Sequence, residues 1–190
     1  MNPNNYQGKL IIAQPRCLSN FFAKSTVLIG EHAHNGAWGV ITNRVFSKLE
    51  SGLGTIMQQT GIEVSSMMED HPLYVGGPLQ TNQINVVHTL DWQSQSTRKI
   101  TDQIGITSDL SVLVAIAGNQ GPEQFRACVG ICRWGEGQLE GEMAGLPPWL
   151  PEHRWLTAQA TVENIFGYIE VYQWQNAIMD AAKETTKAWL

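Results

Sequence analysis

The sequence predicts an α+β fold, a single domain over residues 1–190 in which a mainly antiparallel sheet curls into a partial barrel with flanking helices. Three observations lead there. Strand-forming runs follow one another without regular βαβ alternation, which argues against a doubly wound sheet. Tight glycine turns separate several of these runs, and such turns let antiparallel strands pair and curl. Helical periodicities are scattered among the strands. The length of 190 residues, with 43% hydrophobic and 15% charged, suits one domain with its own core.

Lys9–Ala13 and Thr26–Ile29 are short strand-forming runs bounded by Pro15 and Gly30. Trp38–Thr42 is a third, and Asn35-Gly36 before it supplies hairpin turn chemistry, so the second and third runs pair antiparallel. Ser51–Thr60 reads as a helix, weakened by Gly52 and Gly54 and ended by Gly61. Leu73–Val75 and Ile84–His88 are further strands, with Gly76-Gly77-Pro78 forcing a turn between them. Ser108 is the expected N-cap of a helix on which Leu110, Leu113, Val114 and Ala117 follow helical spacing up to Gly118. Asp109 falls in its first turn, where a carboxylate suits the helix dipole.

Phe125, Ala127, Val129 and Ile131 then alternate with Arg126, Cys128, Gly130 and Cys132, the period of a strand. A glycine-punctuated turn leads to a short helix holding Leu139, Met143 and Leu146 on one side and ended by Pro147-Pro148. A strand near Trp155–Ala160 follows. Thr161 caps a helix carrying Val162, Ile165 and Phe166, and a last helix presents Val171, Trp174, Ile178 and Ala181 at spacings of three and four.

Twelve basic and 17 acidic residues give a formal charge of −5, without the basic footprint of a dedicated nucleic-acid binder. Direct nucleic-acid binding is therefore not expected. Much of the acidity falls between Glu136 and Asp180, where seven acids face Arg154 alone. The polar N-terminus has no apolar core of a signal peptide, and no apolar run approaches the ~20 residues that span a bilayer. These features predict a cytoplasmic protein without a membrane segment. The three cysteines, Cys17, Cys128 and Cys132, are then reduced. Cys128 and Cys132 lie four apart on one strand, ~13 Å at 3.3 Å per residue, too far for a disulfide. They read as inert structural thiols.

Four segments carry candidate chemistry. In Glu31-His32-Ala33-His34 the two histidines would project to one face of a strand, but a third ligand is not evident, so no metal is assigned. Asn43-Arg44 follows a strand, where the guanidinium could clamp a carboxylate or phosphate and the amide orient it. The alternative is an ion pair that pins a turn. Gly76-Gly77 admits backbone geometry closed to other residues. Finally Trp134, Gln138 and Glu140 sit in the run from Arg133 to Glu142, an aromatic wall beside polar groups. Glu136 and Glu140 would share a helical face if the helix began that early. There is no Gly-x-Ser-x-Gly elbow, no phosphate-binding loop and no dinucleotide fingerprint, so no cofactor is assigned.

Taken in order, Gly8–Pro15, Glu31-His32, Gly36–Arg44, Tyr74–Pro78 and Trp134–Glu142 with Trp149-Leu150 resemble the YqgE/AlgH family of small bacterial proteins. The resemblance covers essentially the whole chain and is vaguer after about residue 160. It implies an α+β fold with a barrel-like sheet, and no known reaction; one member is named for regulating alginate synthesis. The chain departs from the family pattern at Ser19-Asn20, Val45 and Ile131, and its cysteines and His34 fall outside it.

The leading functional reading is a non-catalytic ligand-binding or regulatory protein. Its ligand, a small anion or a protein partner, would dock where Glu31-His32, Asn43-Arg44, Gly76-Gly77 and Trp134–Glu140 converge. One alternative is an enzyme acting on a small anionic substrate, with Arg44 as clamp and His32 with Glu31 or Glu140 as acid and base. A second is a transcriptional regulator contacting DNA, which the charge opposes.

Overall fold

The structure is a computed structural model and describes residues 5–17, 19, 21–46, 52–64, 66–69, 71–148 and 155–187. Nine strands lie among them: β1 (Lys9–Ala13), β2 (Thr26–Ala33), β3 (Gly36–Ile41), β4 (Leu73–Val75), β5 (Leu79–Thr89), β6 (Arg98–Lys99), β7 (Ile104–Thr107), β8 (Phe125–Trp134) and β9 (Trp155–Gln159). The helices are α1 (Leu53–Gln59), α2 (Ser66–Glu69), α3 (Leu110–Ala117), α4 (Gln138–Ala144), α5 (Val162–Phe166) and α6 (Glu170–Lys187). The strands form one sheet in the order β6-β7-β5-β8-β3-β2-β1-β9, with β4 paired to β8 off this path. Only the β4–β8 ladder is parallel. The expected α+β half-barrel is what forms.

The alternation of apolar residues assigns each face. Leu10, Ile12, Leu28, Val40, Val87, Ile104, Ile106, Cys128 and Ala158, drawn from both ends of the sheet, pack into one core on its concave side. Helices α5 and α6 join that core through Ile165, Ala177 and Ala181. On the convex side, Ile11, Val27, Ile29, Ile41 and Trp134 are covered by α4 through Leu139. The other half of the convex side, Leu73, Val86 and Ala127, is covered by α1 and α3. Curling lets both sheet ends share a single core, which a flat sheet of this length could not do.

Strand β8 turns over halfway. Gly130 has φ +80°, and β5 is displaced there by a bulge between Leu79 and Ile84. Before it, odd-numbered residues face the convex core and Cys128 the concave one; after it, Ile131 faces the concave core and Cys132 the convex one. The simple two-residue period expected along this strand is therefore broken, and Cys128 and Cys132 lie on opposite faces instead of one polar side. Both are buried, and burial pushes both thiols up to about 12 despite Arg126 and Arg44 nearby. Buried thiols held in the protonated form pack as small apolar side chains.

Two further expectations are corrected. The N-cap of α3 is Asp109, whose carboxylate accepts from the Ser111 N–H at 2.8 Å, because the Ser108 hydroxyl is turned onto Asn85 Oδ1. Helix α4 begins at Gln138, so Glu136 precedes it and shares no helical face with Glu140. The predicted start of the first helix at Ser51 lies outside the described residues. The hairpin at Asn35-Gly36 forms as expected, with Gly36 at φ +126° and its Cα so close to β8 that a Cβ would meet the Trp134 carbonyl at 2.3 Å.

Buried polar groups on both faces of the sheet are hydrogen-bonded, His88 on the convex side beside Trp92 and Arg126 on the concave side beside Tyr74. Fully buried His88 accepts at Nε2 from the Thr107 hydroxyl (2.9 Å) and donates from Nδ1–H to the Thr89 carbonyl (2.8 Å). Burial holds its pKa below the ordinary histidine value. Arg126, 3% exposed, donates to the Thr42 and Tyr168 carbonyls and Gln173 Oε1, and lies 4.9 Å from the Tyr74 ring centroid. No carboxylate pairs with it among the described residues.

Two predictions follow from this packing. Gly61 and Gly130 both sit near φ +80°, but a Cβ on Gly61 meets nothing within 4 Å, whereas on Gly130 it lies 2.5 Å from the Gly77 carbonyl oxygen. Urea unfolding should therefore show Gly61→Ala costing about 1 kcal/mol from the backbone alone and Gly130→Ala at least about 3 kcal/mol. His88 should be less than half protonated at pH 6.5 and carry its proton on Nδ1, which nitrogen-detected NMR would read. Since the unfolded chain takes up a proton that folded His88 refuses, its contribution makes stability fall as pH drops below about 6.5.

Candidate functional site

The run from Trp134 to Glu142 closes on itself. Gly137, the residue before α4, has φ +69°, which turns the chain from β8 into the helix. Gln138 Oε1 then accepts from the Gly135 N–H at 3.0 Å, and its Nε2 donates to Glu142 Oε1 at 2.9 Å. The other Glu142 oxygen accepts from the indole N–H groups of Trp134 (3.0 Å) and Trp155 (2.8 Å). Three neutral donors thus hold one carboxylate, and the two indoles meet edge to face. Trp134 and Gln138 line a small cavity of about 260 Å³ here, with Cys17, Phe22 and Arg133.

His32 is held at both ring nitrogens. Nδ1 accepts from the Tyr6 N–H at 3.2 Å, so the proton is on Nε2, which donates to Glu140 Oε1 at 3.0 Å. The ring ties the N-terminal segment and α4 to β2, and neither nitrogen is left for a substrate. The geometry thus weakens the acid–base reading of His32 and Glu140. His34 has no partner ligands: among the described residues no group of three His, Cys, Asp or Glu side chains could hold a metal ion.

Asn43 and Arg44 also serve the fold. Asn43 Oδ1 accepts from the Thr26 N–H (2.8 Å), and its amide donates to the Lys24 and Glu170 carbonyls. Arg44 donates to the Ala23 carbonyl and the Ser25 hydroxyl, both at 3.2 Å, and stacks 5.1 Å from the Phe21 ring centroid. Burial lowers its pKa. It pins a turn through carbonyl and hydroxyl groups instead of the ion pair considered from sequence. The 350 Å³ hollow beside it contains Lys24 and Glu170 as well. Gly76 and Gly77 pack main chain on main chain: a Cβ would fall 2.4 Å from the Gly130 oxygen and 2.0 Å from the Ile131 carbonyl carbon, respectively.

Glu31 leads to a site at the mouth of the half-barrel. Its Oε2 accepts from Arg98 Nη1 at 2.5 Å and from the Trp38 indole at 3.3 Å. Four strands separate β2 from β6 in the sheet, so the Glu31–Arg98 pair spans the barrel opening. The Arg98 guanidinium lies 5.3 Å from the Trp38 ring centroid. Trp38 lies so close over Gly30 that a Cβ there would meet its ring at 2.3 Å. Directly across from Trp38 in the ladder stands Arg133, exposed and, among the described residues, without an ion-pair partner. Trp38, Arg98 and Arg133, though not Glu31 itself, line a cavity of about 490 Å³ with Gln80, Gln83 and Asn85.

The sequence candidates therefore do not converge on one pocket. Glu31 borders the barrel mouth, Trp134 and Gln138 the small cavity, and Asn43-Arg44 a third hollow, while His32–Glu140 and Gly76-Gly77 are structural ties. Sequence reasoning missed Arg98, because its partner Glu31 is 67 residues away and nothing in Ser96-Thr97-Arg98-Lys99 marks it. For Arg133 a signal existed: strand alternation puts it on the face opposite Trp134.

A curled antiparallel half-barrel whose long central strand runs into a Trp-Gly-Glu-Gly-Gln helix start defines a structural class. The chain belongs to the AlgH-like family, whose model matches residues 10–185. A UPF0301 protein of Methylococcus capsulatus is 33% identical over 174 residues, 92% of this chain and 90% of that protein. The solution structure of the AlgH protein from Pseudomonas aeruginosa is similar, with TM-score 0.76 and 26% identity over 95% of this chain and 90% of that one. The crystal structure of a Corynebacterium diphtheriae protein shares the fold, with TM-score 0.66 and 21% identity over 89% of this chain and 83% of that one. Trp149-Leu150, part of the resemblance read from sequence, lies outside the described residues.

The two acids of α4 should behave differently on removal. Glu142→Ala strands two indole N–H groups on buried tryptophans and should cost about 2–4 kcal/mol. Glu140→Ala loses one bond to a half-exposed carboxylate and should cost no more than about 1 kcal/mol. Chemical denaturation followed by tryptophan fluorescence measures both.

Proposed function

We propose that this is a cytoplasmic, non-catalytic protein that binds a small anionic ligand at the barrel mouth, between Trp38, Arg98 and Arg133. One observation carries the reading. Arg133 is an exposed guanidinium with no carboxylate partner among the described residues, set across from an indole whose face already accepts a second guanidinium. The other charges there are engaged: Glu31 with Arg98, and Asp109 with the Ser111 N–H and hydroxyl. A carboxylate or phosphate would receive a bidentate pair of N–H donors from Arg133. Its remaining oxygens would face the amides of Gln80 and Gln83.

Binding without turnover fits the occupied state of the reactive groups. His32 and His88 use both ring nitrogens, and the Ser19 hydroxyl accepts from the Phe22 N–H. No helix of the described residues is long and apolar enough to cross a membrane, which accords with the cytoplasmic placement. The charge of −5 disfavours direct DNA contact, so a regulatory role would act through the bound ligand or a protein partner.

Thermal-shift titration at low salt with phosphate and small carboxylates tests this. At a hundred times the dissociation constant, a ligand should stabilise the protein by about 2.7 kcal/mol. Arg133→Ala should abolish the shift and Arg44→Ala should leave it. An unchanged midpoint with every anion, or loss of the shift in Arg44→Ala alone, would overturn the assignment.

A further inference from the structure

The cavity at the barrel mouth has a neighbour. Gln83, Ser108 and Asp109 line it and also line a second cavity of about 510 Å³ on the convex side of the sheet. The two meet here because the sheet ends here. The last β5–β7 pair is Val86↔Thr107; beyond it the Ser108 hydroxyl reaches Asn85 at 2.8 Å, and β7 gives way to α3. A ligand seated at Arg133 thus lies on the inner side of a lip whose outer side is the second cavity.

The two sides of the lip differ in chemistry. The outer cavity is lined by Ile56, Ile84, Leu110, Leu113 and Val129 together with hydroxyl and amide side chains. No lysine or arginine lines it, and its acid, Asp109, is turned onto Ser111 as the cap of α3. Leu110 is 54% exposed at its edge, although burial would favour such a side chain. One side therefore offers positive charge to an anion, and the other offers a largely apolar surface in a volume typical of small-molecule sites.

From this juxtaposition we infer that the ligand is a monomeric amphiphile: a carboxylate or phosphate head at Arg133 joined to an unbranched alkyl chain that crosses the lip of Gln83 and Asp109 and lies along Leu110. The inference rests on the anion-binding reading above and adds the ligand's chemical class. The charge at the mouth fixes the head, and the lining beyond it, which holds Asp109 and no lysine or arginine, accepts methylenes but no second anion.

Isothermal titration of acetate, butyrate, hexanoate and octanoate, all below micelle-forming concentrations, separates the two claims. Affinity should rise about fourfold per methylene once the chain passes the lip. Leu110→Glu places a carboxylate in the outer cavity at an exposed first-turn position that tolerates an acid; it should abolish the chain-length increment and leave butyrate binding unchanged. Arg133→Ala should weaken all four. Octyl phosphate against inorganic phosphate repeats the comparison for a phosphate head, and a chain-length gain in either series supports the amphiphile. If short anions bind and neither series gains with chain length, the amphiphile is overturned and anion binding stands. A gain that survives in Leu110→Glu, confirmed folded by its melting curve, also overturns it. If neither acetate, phosphate nor their alkyl homologues bind, the anion-binding reading falls and the amphiphile with it.

Discussion

At Gly130 the main chain of β8 takes a positive φ, and the Gly76-Gly77 connection passes against it with no side chain between. The Gly76 N–H donates to the Val129 carbonyl and the Gly76 carbonyl accepts from the Ile41 N–H, both at 2.7 Å. That crossing lets β8 exchange neighbours along its length. Its first half pairs with β4, its second half with β3, and β5 follows the other side across a bulge. Because the strand turns over at the same point, Ile131 continues the concave core that Cys128 began. A side chain at any of the three glycines would separate main-chain segments that now touch, and the two halves of the sheet would lose their common interior.

The second constraint is electrostatic. Arg126 is buried without a carboxylate partner among the described residues, a costly placement unless its N–H groups find other acceptors. Three of its five N–H groups find acceptors on Thr42, Tyr168 and Gln173, with the Tyr74 ring on its face. Gln173, itself fully buried, donates to the Thr42 hydroxyl at 2.8 Å, and Asn43 reaches the Glu170 carbonyl. This network ties the start of α6 to the end of β3, so the helix caps the concave core at a fixed angle. Carbonyl acceptors suit the position, since a carboxylate would need partners of its own in the same dry space.

What was legible in the sequence depended on range. Local signals read correctly: the Asn35-Gly36 hairpin, Thr161 as a cap accepting from the Asn164 N–H, and the helical spacing of Leu113 and Ile165. The Ser108 cap misread because a tertiary partner, Asn85, took the hydroxyl and left the cap to Asp109. The period of β8 misread because one left-handed glycine reverses which side chains face in. At the candidate site the same rule holds. Glu31 was visible as an acid on a strand, but Arg98 meets it only because the sheet curls far enough to bring β6 to β2, and the glycine turns that permit a curl do not say which side chains it brings together. The family-like motif from Trp134 to Glu142 looked like the densest chemistry because it holds many polar side chains. Its geometry shows those side chains bonded to one another and to buried indoles.

That contrast bears on where a ligand acts. A polar group already satisfied by protein gains little from a ligand, which must first break the bond it replaces. By this criterion Glu142, His32, Asn43 and Arg126 belong to the fold however reactive their side chains are in isolation. Arg133 differs: it stands on the same strand as Arg126 and Gly130, whose rigidity it inherits, yet its guanidinium meets solvent. In the proposed site the strand fixes where this side chain starts, beside the Trp38 ring and with no ion-pair partner among the described residues. The exposed guanidinium still loses rotamer freedom when an anion orders it. The constraint that turns β8 over at Gly130 also sets Arg133 on the concave side, facing the mouth. Fold and candidate site therefore have one origin in the crossing of Gly76-Gly77 over Gly130.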